Sequence, residues 1–109
     1  MKRLKKEHIV VLVTTSSKEE AETIVHWLLE AKLIACANII SSVGSRFYWS
    51  GKINGAEEYL VIMKSRRDLF GVLSESVKAL HSYEVPEIIA LPIVDGSKAY
   101  IEWVDNCLR

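Results

Sequence analysis

The run Ile9-Val10-Val11-Leu12-Val13 is apolar without alternation, the pattern of a strand buried on both faces. Ser17-Lys18-Glu19-Glu20 then has the form of a capping box. Ala21, Ile24, Val25, Leu28 and Leu29 recur after it at helical spacing, which predicts a helix with one buried face. Residues 34–40 read as a second strand, which 47–49 continue after an irregularity near Val43-Gly44. Ser50-Gly51 and Asn54-Gly55 are turn signals that place a hairpin tip in this region, with the chain returning over 57–65. A second helix is predicted to start near Ser65-Arg66-Arg67-Asp68 and to bury Leu69, Val72, Leu73, Val77 and Leu80. Residues 87–94 read as a fourth strand, placed at an edge because Pro92 has no donor for a ladder. Gly96-Ser97 caps a last helix with Ile101, Val104 and Leu108 inward. The order is βαββαβ plus a C-terminal helix, an α+β, ferredoxin-like arrangement.

In such a fold helices cover one face of the sheet, and strands should alternate between apolar and polar positions. These do not: Tyr59, Val61 and Met63 point one way and Leu60 and Ile62 the other, all apolar. The uncovered face therefore needs a partner, and a second copy of the chain is the economical one.

With 109 residues the chain is a single domain, expected over 8–109 behind a solvated tail at 1–7. Lys plus Arg and Asp plus Glu both number 14, so no basic field exists to hold nucleic acid. Met1-Lys2-Arg3-Leu4-Lys5-Lys6 before the first apolar run imitates a signal peptide, but that run is too short, and Thr14-Thr15-Ser16-Ser17 offers no small-residue cleavage pattern. No stretch approaches the ~20 apolar residues of a membrane span. Cys36 and Cys107 form no CxxC pair and read as reduced thiols, Cys36 as a buried small hydrophobe, so the expected location is cytoplasmic.

Polar chemistry is densest at His81-Ser82-Tyr83-Glu84-Val85-Pro86-Glu87-Ile88, where an imidazole, a phenol and two carboxylates sit between a helical stripe and an apolar strand. The same residues also read as a plain helix exit, with His81 meeting the negative end of the helix dipole. No GxSxG, HExxH or phosphate loop occurs, and catalysis is not expected.

This stretch resembles the HPYEVPEI signature of the divalent-cation tolerance proteins known as CutA. Ala35-Cys36-Ala37-Asn38, Ser45-Arg46-Phe47-Tyr48-Trp49-Ser50-Gly51-Lys52-Ile53, Met63-Lys64-Ser65 and Tyr100-Ile101-Glu102-Trp103 match further family motifs in order. The resemblance implies a compact homotrimer of PII-like architecture that binds divalent metal, notably copper, and acts in metal tolerance. It implies clefts between subunits lined by Tyr48, Trp49, Glu58, Lys64, His81, Tyr83, Glu84 and Trp103. His81 and Glu87 are the candidate metal donors, a set suited to Cu²⁺ or Zn²⁺. Val13 stands where some members carry a cysteine, Leu80 where some carry a second histidine, and Ser82 replaces the usual proline, so only weak metal binding is expected. Two alternatives remain: a PII-like sensor holding a small anionic ligand near Lys64, and a non-catalytic trimeric scaffold.

Overall fold

The computed structural model describes residues 7–109. Of the tail expected over 1–7, residues 1–6 lie outside the described residues. Glu7 is exposed, accepts from the Arg67 N–H through its carbonyl, and pairs with Arg67 Nη1 at 2.9 Å.

The elements are β1 (His8–Thr15), α1 (Lys18–Glu30), β2 (Cys36–Trp49), β3 (Lys52–Arg66), α2 (Phe70–Leu80), β4 (Ile88–Pro92) and α3 (Lys98–Cys107). A single 3-10 turn, Arg67–Leu69, precedes α2. The sheet runs β2-β3-β1-β4 with every neighbouring pair antiparallel, the expected ferredoxin-like order. Val11, Val13, Val61 and Met63 meet Ile24, Leu28, Leu73 and Val77 in the core, so α1 and α2 cover one sheet face. α3 packs apart from them, with Val104 and Leu108 against Ala35 and Leu69. Arg66 ties this end together: it bonds Asp68, Asp105 and the Arg109 carbonyl, and Asp105 also accepts from His8.

Several boundaries differ from expectation. Val72 is 53% exposed, because with Leu73 and Val77 inward it sits about 100° around the helix from the buried stripe. β4 stops at Pro92, and Val94 is exposed. The irregularity in β2 is a register shift between Ile40 and Val43, with Ser42 at φ 59°. The hairpin turns at Ser50-Gly51, both in the left-handed region, as a two-residue turn matched to strand twist requires. Asn54-Gly55 is no turn: it lies in the ladder opposite Phe47 and Arg46, and Asn54 Nδ2 donates to the Trp49 and Lys52 carbonyls at 3.1 Å each. It braces the turn from inside the strand.

β3 pairs with β1 only from Tyr59 to Arg66, so the rest of the β2–β3 hairpin is a two-stranded arm beyond the sheet. The other sheet face is open. Val10, Leu12, Leu60 and Ile62 are half-buried there, while Ile40, Ile89 and Leu91 are exposed.

Candidate functional site

His81 is the C-cap of α2 with extended backbone, and its ring turns inward with no side-chain exposure. The carbonyl of Thr14 can only accept, so His81 Nε2 donates to it at 2.7 Å. Nδ1 is left to accept the Tyr83 N–H at 3.0 Å. Both ring nitrogens are thus committed to backbone groups, and a metal ion at Nδ1 would have to displace the Tyr83 amide. Glu20 completes the brace. Its Oε2 accepts the Ser82 N–H at 2.6 Å, and its Oε1 faces Ser16 N at 3.3 Å. Desolvation pushes this carboxyl upward, yet hydrogen bonds from Ser82 and Ser16 and the nearby His81 ring hold it below the usual carboxylate range. The expected capping box is thus half formed. Ser17 Oγ accepts the Glu20 N–H, while the Glu20 side chain serves Ser16 and the helix-exit loop.

The braced loop presents Tyr83, whose hydroxyl donates to Glu58 Oε2 at 2.6 Å. Desolvation first, then the Glu58 carboxylate, push this phenol up to about 12, so it remains a donor across the physiological range. Glu58 is only 6% exposed, and Tyr83 is its hydrogen-bond partner among the described residues. Its Oε1 is not sealed from solvent, since no fully buried side-chain oxygen lacks a partner, and it borders a cleft.

That cleft, about 820 Å³, lies between the arm and the loop. Tyr48 and Trp49, 75% and 55% exposed, form the arm side with Arg46 and Phe47. Glu58 and Thr14 form the floor, and Tyr83, Glu84, Pro86 and Glu87 the opposite side. Six of the expected residues therefore converge within one chain. Three do not line it. His81 stands behind the loop as its brace. Lys64 lies on the open sheet face, where Nζ donates to Asn38 Oδ1 at 2.6 Å. Trp103 stacks on Tyr100 at 5.6 Å on α3, and the Tyr100 hydroxyl lies 3.3 Å from Cys36 Sγ. Cys36 is thus half-buried beside a phenol, not a core hydrophobe. Arg46, Phe47 and Thr14 were not singled out as lining residues by sequence, although Arg46 and Phe47 directly precede the Tyr48-Trp49 pair. Among the described residues no three His, Cys, Asp or Glu side chains are gathered closely enough to hold a metal ion.

A family model described as CutA1 divalent ion tolerance protein matches residues 9–107. The chain belongs to this family. It is 45% identical over 102 residues to the divalent-cation tolerance protein CutA of Archaeoglobus fulgidus, covering 94% of this chain and 99% of the relative. To the chloroplastic CutA 1 of rice it is 44% identical over 101 residues, 93% of this chain but 57% of that protein, so it spans little more than half of this plant relative. Among solved structures, CutA1 from Thermus thermophilus superposes with a TM-score of 0.92 at 41% identity, covering 94% of this chain and 99% of that one. CutA1 from Oryza sativa gives 0.92 at 43% identity, with 94% of each chain covered. The fold is that of the CutA1 family.

Proposed function

We propose that this CutA1 chain is a non-catalytic cytosolic homotrimer that binds divalent metal weakly, copper foremost, and acts in tolerance of divalent cations. The observation that supports it is the acidic cleft in a chain of this family: Glu58, Glu84 and Glu87 against the one cation Arg46 among the lining residues. Glu84 and Glu87, both exposed and separated by Val85-Pro86, are the accessible donors, and His81 acts by positioning them. Two carboxylates leave most coordination positions to water or to a second copy, which makes the site weak. Cu²⁺ is favoured over Zn²⁺ because affinities of a given site for divalent first-row metals peak at copper.

The open apolar face supports the trimer, and the two free cysteines support a reducing compartment. Proteins similar to this chain include one named chloroplastic and one named periplasmic, so location is tested on this chain itself. The anionic-ligand alternative is not favoured, because Lys64 is spent on Asn38 away from an acidic cleft. Calorimetric titration with Cu²⁺ and Zn²⁺ tests the metal reading. Binding should weaken at least about tenfold in the Glu84→Gln/Glu87→Gln double variant, as expected for removing both charged donors. Metal affinity equal to the parent's places the ion elsewhere, and fractionation of cells carrying the tagged chain checks the compartment.

A further inference from the structure

We propose that the cleft between the arm and the 83–87 loop is a binding site for a small organic diammonium ion, with one protonated amine on Glu58 and the carbon chain against the aromatic arm. The inference concerns the cleft of the metal reading but rests on chemistry that a metal does not explain. Glu58 is more than nine-tenths buried and lines the cleft, one oxygen accepts from Tyr83, and the other has no hydrogen-bond donor among the described residues. A carboxylate oxygen in that position takes an N–H donor, and a charged one most strongly. Tyr83, a phenol that stays protonated, holds Glu58 in place and leaves the second oxygen to the ligand.

The other side of the cleft supplies what an ammonium adds over a bare ion. Trp49 and Tyr48 line the cleft and are exposed in the single chain, and a cation near such rings is attracted by the ring quadrupole. Glu84 and Glu87 border the same cleft, but they are not gathered with Glu58 closely enough for one ion to take all three carboxylates. Carboxylates spread along a cleft of about 820 Å³ match two positive charges separated by a flexible apolar chain. A dianion would meet three carboxylates and one guanidinium, and a neutral ligand would leave the Glu58 oxygen without its donor.

The test is calorimetric titration of the full chain with putrescine at physiological salt, with tetramethylammonium and Cu²⁺ titrated separately. Saturable putrescine binding is expected, at least about tenfold tighter than tetramethylammonium, which has the charge but no N–H donor. Glu58→Gln should weaken putrescine at least about tenfold, and Trp49→Ala by about threefold or more. Because Glu58 is buried, Glu84→Gln on the exposed loop serves as a second variant that leaves the fold intact, and it should weaken putrescine but not tetramethylammonium. No putrescine binding at millimolar concentration overturns the proposal, as does binding that all three variants retain. Cu²⁺ binding without putrescine binding leaves the metal reading standing and ends this one. Putrescine binding without Cu²⁺ binding does the reverse.

Discussion

Glu58 shows how one side chain can be structural and receptive together: its buried carboxylate is held by a phenol and still faces a cleft. Tyr83→Phe removes that donor and leaves Glu58 Oε2 without its protein partner, at a cost of about 1–3 kcal/mol, read as a lower denaturant midpoint at fixed protein concentration. His81 supports two backbone groups, and His81→Ala should cost a similar ~1–3 kcal/mol while changing Cu²⁺ affinity only through disorder of the loop. An affinity lost while the loop stays ordered, judged by retained protection of the Tyr83 amide, would make the ring a donor after all. The acid side of the stability profile follows from Glu20 and Asp105. Desolvation raises both, but hydrogen bonds from Ser82 and Ser16 to Glu20, and from His8 and Arg66 to Asp105, bring each below its ordinary value of 4.5 or 3.8. A depressed folded-state carboxyl contributes stability that is complete above the unfolded value and lost as pH falls through the folded one. The urea midpoint should therefore fall below about pH 4.5, and Glu20→Gln with Asp105→Asn should flatten that fall.

At the scale of elements, sequence reads best where one force decides. Of the predicted stripe, Ala21, Ile24, Val25 and Leu28 are buried, because an amphipathic helix has only one way to face a sheet, whereas Leu29, one residue round from Leu28, is 41% exposed. Ser97 caps α3 for a similarly local reason. Local signals mislead where a neighbour competes. Asn54-Gly55 carries the stronger turn composition, yet pairing of Tyr48 with Ile53 and Trp49 with Lys52 sets the register and gives the turn to Ser50-Gly51. The convergence of Tyr48, Glu58 and Tyr83 was suggested by family motifs, but spacing alone could not join residues that meet only through strand order. Nor could it reveal that both nitrogens of His81 are already taken. Gly51 has φ 76° and open space around its Cα, so Gly51→Ala should cost about 1 kcal/mol through backbone strain alone, measured as a lower midpoint with the cleft unchanged.

For the whole molecule, the open face is the largest unresolved demand on the fold. Light scattering coupled to size exclusion should give about three chain masses at micromolar concentration, in line with closed symmetric assembly. Ile62→Asp, placed centrally on that face, should shift the protein to single chains or cost at least ~3 kcal/mol of assembly, since an unpaired charge cannot be buried cheaply. An unaltered trimer in that variant would mean that copies meet through another surface.

The arm beyond Tyr59 has a mechanical consequence. From Lys52 to Glu58 it reaches about 23 Å with a single ladder and no third strand beside it among the described residues, and the long axis of the molecule is 51 Å against 28 and 24 Å for the others. It is a cantilever, and its amides can open without disturbing the core. In hydrogen–deuterium exchange an uncovered arm should lose protection over 46–54 well before Val61 and Met63 do. If those arm amides instead exchange as slowly as the core, something outside the single chain is clamping the free end, and the cleft at its base is held at a fixed width.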